Sequence, residues 1–150
     1  MALDFRRRDA ARSEPRPPAS TILLIEPDAA CRDIAALLVR HYGYEVLEAA
    51  TFREAMHLAR AMRPDGIVSE LLVDSHGDRT IVEALARDAA TARIPVLVLN
   101  DPLTPEQRDR ALTAGAVAVL QKPVNGLELR DALILHVGEP VHAALSQTAA

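Results

Sequence analysis

TILLIEPD, residues 21–28, decides the fold. Thr21 opens a continuous apolar run, Ile22-Leu23-Leu24-Ile25, with no alternating polar face. A short unbroken run of this kind suits a strand covered on both faces, the condition of strands in parallel sheets flanked by helices. Glu26 and Pro27 end the run, and Asp28 can accept the orphan N–H groups of a following helix. Behind it, Ala30, Cys31, Ile34, Leu37 and Leu38 recur at helical spacing and form the expected inward stripe. Gly43 stands where a left-handed residue closes the last turn.

Outward from this unit the same cycle repeats. Residues 44–47 read as a second strand. Thr51 caps a helix with the stripe Ala55, Met56, Leu58, Ala59 and Met62, ended by Pro64. Residues 66–72 read as the third strand, and Asp74 to Asp78 (DSHGD) as a polar loop. A helix then turns Ile81, Val82, Leu85 and Ala89 inward, followed by a strand over 94–99. Thr104 caps a fourth helix, which Pro105 starts well and Gly115 ends. A fifth strand covers 116–120. Asn125 caps the last helix, whose apolar set is Leu127, Leu129, Leu133, Ile134 and Val137. Five strands alternating with five helices through short loops make an α/β fold, a parallel sheet with helices on both faces. The runs 22–25, 67–72 and 95–99 are the most apolar and should be central. In such sheets the functional crevice lies beyond the carboxyl ends of the strands. The groups there are Glu26 to Asp28, Glu70 to Ser75, Asn100 and Asp101, and Gln121 to Pro123.

The whole chain fits one such domain. Its 150 residues, 49% hydrophobic and 25% charged, exclude a wholly disordered chain, a collagen-like chain and a disulfide scaffold. No run approaches the length of a membrane-spanning helix, and no secretory pattern opens the chain. The single cysteine, Cys31, has no internal partner, which favours a reducing cytoplasm. Arg6, Arg7, Arg8, Arg12 and Arg16, mixed with Pro15, Pro17 and Pro18, mark residues 1–20 as a solvated, disordered tail. Residues 21–138 form the domain, and 139–150 a second short tail. The net charge of −4 therefore sits on an acidic body, which argues against a nucleic-acid partner, and two Tyr and two Phe are too few for base stacking. Of 17 basic residues 16 are Arg, so Lys122, the one lysine, singles itself out.

Glu26, Glu70 and Lys122 meet at the ends of three strands, with Asn100 adding a neutral donor and acceptor. Such a charged cluster at a crevice points to a functional site. At these residues the chain resembles the receiver domain of bacterial two-component response regulators. ILLIEPD (22–28), YGYEVLEA (42–49), RPDGIVSELL (63–72), IPVLVLN (94–100) and AGAVAVLQKPV (114–124) carry the resemblance, in this order and spacing. It implies a flavodoxin-like, doubly wound five-stranded sheet of order 2-1-3-4-5. It also implies a site in which an aspartate after the third strand takes phosphate from a kinase histidine, aided by magnesium on an acidic pair after the first strand. A lysine after the fifth strand, a Ser or Thr after the fourth and an aromatic switch in the fifth complete that pattern.

The chain departs from it at nearly every reactive position. Glu70 stands at the phosphoacceptor position, Pro27 replaces the second acid beside Glu26, Asn100 replaces Ser or Thr, and Val119 replaces the aromatic. Lys122 and Pro123 are retained, and the resemblance implies a cis bond between them. Asp28 could serve the acidic pocket only if its loop were re-aimed; capping the helix is its simpler role. Magnesium usually needs one or two direct carboxylates, so it is possible but not expected, and no cofactor is. Glu70, one methylene longer than Asp, is misplaced for in-line transfer and extends toward Lys122 instead. An ion pair within about 4 Å is expected between them.

Other signals carry less. His41, His57, His76, His136 and His142 show no metal spacing. DSHGD lacks the glycine at 79 of a cobalamin motif, and no Gly-rich phosphate loop or Ser elbow is present. The preferred reading is an atypical stand-alone receiver, not an enzyme, acting as a phosphorylation-independent interaction module. Its output face would be 104–114, 116–120 and 125–137. A histidine kinase or another signalling protein is the expected partner, with a homodimer possible and neither nucleic acid nor membrane involved. With no room for a DNA-binding output domain, any transcriptional role would be indirect. The alternatives are a working phosphoacceptor with an unconventional site and an enzyme on a flavodoxin-like scaffold.

Overall fold

Ile22, Leu23, Leu24 and Ile25 are at most 1% exposed, so β1 (Thr21–Ile25) is covered from both sides as its unbroken run requires. The computed structural model describes residues 21–101 and 104–141; the expected tail 1–20 and residues 142–150 of the second lie outside them. After β1 come α1 (Ala29–His41), β2 (Glu45–Ala49), α2 (Phe52–Met62), β3 (Gly66–Ser69) and α3 (Ile81–Arg87). β4 (Val96–Asn100), α4 (Pro105–Ala114), β5 (Ala118–Gln121) and α5 (Gly126–His136) complete the order. The five strands are parallel, in the order β2-β1-β3-β4-β5. This is the doubly wound, flavodoxin-like arrangement, with the three most apolar strands inside.

Side-chain alternation divides the core into two layers. Ile22, Leu24, Val68, Leu97, Leu99 and Leu120 face α1 and α5, meeting Ala35, Ala36, Val39, Leu129 and Leu133. Leu23, Ile25, Ile67, Val96, Val98 and Val119 face α2, α3 and α4, meeting Met56, Ala59, Ile81, Leu85 and Ala111. The helices start where the caps predict: the side chains of Asp28, Thr51, Thr104 and Asn125 each accept a first-turn N–H, as does Thr80 for α3. Gly115 closes α4 at φ 118°, a conformation that disfavours a side chain. Gly66 is needed for a different reason. A Cβ there would stand 2.6 Å from Val137, where the chain after α5 crosses the start of β3. Tyr44 fastens the same corner by donating to the Gly138 carbonyl at 2.6 Å, and burial pushes its phenol up to about 12.

Several expected faces are rotated. In α1 the buried residues are Ala35, Ala36 and Val39, whereas Ile34 and Leu37 are 60% and 70% exposed and Cys31 is exposed. Ile22, Leu24 and Val68 already fill the sheet surface beneath, and only small side chains let the helix close on it. In α5, Leu129 and Leu133 turn inward and leave Leu127 and Ile134 exposed. Met62 is exposed because α2 ends there, with Arg63 left-handed at φ 45°. Ala89 is exposed beyond the end of α3. β3 is shorter than expected: Glu70 to Leu72 leave the ladder, and Val73 forms an antiparallel bridge to Thr80 that closes the polar loop. The other strands are shifted by one or two residues, β2 to 45–49, β4 to 96–100 and β5 to 118–121.

Candidate functional site

Strand register builds the site. Ile25 is level with Ser69, and Asn100 with Gln121. The next residues are therefore Glu26, Glu70, Asp101 and Lys122. Alternation carries the face of Leu24, Val68, Leu99 and Leu120 to these four, so they emerge on the α1/α5 side of the sheet. Backbone bonds hold three of them at the strand ends: Glu26 N–H to Ala49 O, Glu70 N–H to Ile25 O and Lys122 N–H to Asn100 O, each 3.0 Å.

The Lys122 ammonium lies between the two carboxylates. Nζ donates to Glu26 Oε1 in a direct ion pair, and Glu70 Oε1 lies 3.8 Å from Nζ. β5 is three strand spacings from β1, roughly 14 Å, so the bridge forms only because two long side chains reach toward each other. The expected Glu70–Lys122 proximity is present, but the direct bond goes to Glu26. The Glu26 side chain is 5% exposed against 28% for Glu70, and an uncompensated charge is costlier in the drier position. One oxygen remains unmatched: Glu26 Oε2 is buried and has no hydrogen-bond partner among the described residues.

The electrostatics follow. Burial raises the Glu70 pKa above the usual carboxylate value, and the neighbouring Glu26 carboxylate adds to it; Lys122 opposes the shift. Burial works against the Lys122 ammonium, but the hydrogen bond and charge of Glu26, with the charge of Glu70, hold its pKa above the ordinary lysine value.

The remaining expected residues lie apart from this cluster. Asp28 does not join the acidic pocket. Its Oδ1 accepts from Cys31 N–H at 2.8 Å, which lowers its pKa. Asn100 is one residue out of phase, so it faces the other layer and donates to Gln107 Oε1 at 3.4 Å. Val119 is buried in that same layer. The Lys122–Pro123 bond is cis, as implied. A cavity of about 310 Å³ opens beside the cluster, against α1. Three arginines complete the surroundings without a signal in the linear sequence. Arg32 donates to Glu26 O at 2.8 Å, Arg108 to Val119 O at 3.4 Å, and Arg110 to both Glu83 (3.0 Å) and Asp78 O (3.0 Å).

A parallel sheet of order 2-1-3-4-5 with an acid, an acid and a lysine at the ends of its first, third and fifth strands defines a receiver-type signalling domain. The chain belongs to the response regulator receiver domain family, whose pattern matches residues 22–134. It is 31% identical over 108 residues to the DNA-binding dual master transcriptional regulator RpaA of Synechocystis, covering 72% of this chain and 45% of RpaA. It is 28% identical over 109 residues to the phosphate regulon transcriptional regulatory protein PhoB of Pseudomonas aeruginosa, covering 73% of this chain and 48% of PhoB. The chain thus spans about half the length of these relatives. Among solved structures, chemotaxis protein CheY4 of Vibrio cholerae superposes with a TM-score of 0.70 at 26% identity, over 79% of this chain and 98% of CheY4. Receiver domains are signalling modules that interact with proteins such as histidine kinases. No helix among the described residues is long and apolar enough to cross a membrane.

Proposed function

We propose that this receiver is an atypical one that acts as a phosphorylation-independent protein-interaction module. The observation that carries the reading is the engagement of Lys122. The group that would pair with a phosphoryl oxygen is bonded to Glu26 and flanked by Glu70. Magnesium fits poorly beside it. Glu26 Oε1 is taken by the ammonium, Pro27 offers no side-chain oxygen, and Asp28 Oδ1 is spent on the α1 cap. Without a metal, transferring phosphoryl charge loses its main stabiliser. The α4–β5–α5 face is also held: Arg108 is bonded to the β5 backbone, Arg110 ties α4 to α3, and position 119 has no aromatic to swing. The partner is a histidine kinase or another cytoplasmic signalling protein, with a second copy of this chain as a further option. The DNA binding in the name of RpaA describes that longer protein. No catalysis is assigned.

Incubation with acetyl phosphate and magnesium, followed by intact mass, tests this. The expected result is no stoichiometric phosphoryl adduct. An adduct abolished by Glu70→Gln would replace the proposal with a working phosphoacceptor.

A further inference from the structure

A second cavity, of about 300 Å³, opens on the other side of the sheet, among α2, α3 and the loop before α3. That is the size of a small-ligand site. Phe52 and Met56 of α2 and Ala84 of α3 give it an apolar floor. Its charged lining is Arg60, Arg79 and Arg87 against Asp74 and Asp88. Both aspartates are engaged. Asp88 Oδ2 accepts from Arg60 Nε at 2.5 Å, and its Oδ1 from Ala90 N–H at 2.9 Å. Asp74 Oδ1 accepts from His76 N–H at 3.2 Å and from Asp78 N–H at 3.0 Å. Arg79 and Arg87 are left over: neither side chain has an ion pair or hydrogen bond among the described residues, in a chain whose net charge is −4. The backbone fixes both positions. The Arg79 carbonyl accepts from Asp74 N–H at 2.8 Å beside the Val73–Thr80 bridge, and Arg87 is the last residue of α3.

We propose that this cavity binds a small phosphate monoester, with its phosphoryl oxygens on Arg79 and Arg87 and its organic body on Phe52 and Met56. Charge selects the phosphoryl group. Two unmatched guanidinium forks balance a dianion, whose three oxygens can serve both; a carboxylate brings one charge and two oxygens, enough for one fork. A cation would meet more arginines than aspartates, and the aspartates are already engaged. The floor selects an ester over free phosphate, because only an organic body gains by covering Phe52 and Met56. The ester is held and not cleaved, so the site is independent of whether Glu70 takes a phosphoryl group. It would give the domain a small-molecule input on the sheet face opposite Lys122.

Phenyl phosphate, inorganic phosphate, benzoate and benzamidine are titrated calorimetrically into the full 150-residue chain without magnesium. Phenyl phosphate should bind about tenfold tighter than benzoate, the worth of one further charge-assisted hydrogen bond, and tighter than inorganic phosphate. Arg79→Gln and Arg87→Gln should each weaken it about tenfold. Arg53→Gln removes an exposed charge from α2 outside the cavity and should weaken it by no more than about twofold. All three arginines are exposed, so the substitutions leave the fold intact. Equal affinity for phenyl phosphate and benzoate, a preference for benzamidine or for inorganic phosphate, or no binding of phenyl phosphate would overturn the proposal. So would equal losses in all three variants, which would mean diffuse attraction, or binding untouched by Arg79→Gln and Arg87→Gln, which would put the ligand elsewhere.

Discussion

The two helical layers solve the same packing problem differently. On the α2–α4 side, charge crosses between elements: Arg60 meets Asp88 at 2.5 Å, and Arg110 meets Glu83 at 3.0 Å while also bonding the Asp78 carbonyl. On the α1/α5 side, small residues close against the sheet, while Ile34, Leu37, Leu127 and Leu135 point outward, each at least 59% exposed. That side also holds the cavity and the Glu26–Lys122–Glu70 cluster. One face of the sheet is thus laced from helix to helix, beside a cavity of about 300 Å³ lined by Phe52, Met56, Arg60 and Asp88. The other keeps apolar surface and internal space for something else to meet.

Two leucines one turn-half apart give the strongest way to break this contrast. Leu133 is fully buried and Leu135 is 67% exposed on the same helix. Leu133→Ala should cost about 3 kcal/mol in urea unfolding, and Leu135→Ala no more than about 0.5 kcal/mol. Similar losses would mean that α5 is rotated from the position described.

A smaller effect comes from pH. The folded-state pKa of Glu70 is raised by burial and by Glu26, so the native state holds its proton more tightly than the unfolded chain. Its contribution is complete below the ordinary carboxylate value and is lost as pH rises through the raised one. Glu70→Gln should remove that part of the slope and stabilise the protein relative to the parent at the alkaline end of the window. Urea midpoints taken between acid and neutral pH would show it; parallel curves for the two proteins would contradict the cluster's electrostatics.

The smallest effect sharpens the other layer. The Arg110 side chain is about half exposed, so its pair with Glu83 is screened, and Arg110→Ala should cost about 0.5 kcal/mol. A loss several times larger, read by thermal unfolding, would show that the lacing acts as a cooperative network.

Most of the fold was legible because the strongest signals are local. The run at 22–25, the caps at Asp28, Thr51, Thr104 and Asn125, and Gly115 each act within a few residues of their own position. Helix rotation was not legible. Ile34 and Leu37 make a better apolar stripe than Ala35, Ala36 and Val39, but the sheet surface decides which side approaches. In the site, the grouping of Glu26, Glu70 and Lys122 is legible, because alternation from Leu24, Val68 and Leu120 carries them to one side. Counting the same alternation along β4 puts Asn100 out of phase and Asp101 in phase, a signal the sequence carries. Which carboxylate wins the lysine depends on relative burial, which no linear pattern encodes.

Lys122 has one more consequence. It is the only side-chain primary amine in the chain, and the flanking carboxylates keep it protonated and therefore a poor nucleophile. Acetylation, or any other acyl transfer to lysine side chains, has a single address here and a reluctant one. Were it to succeed, two facing carboxylates would be left without a counter-charge, and the crevice would be rewritten by a single covalent mark.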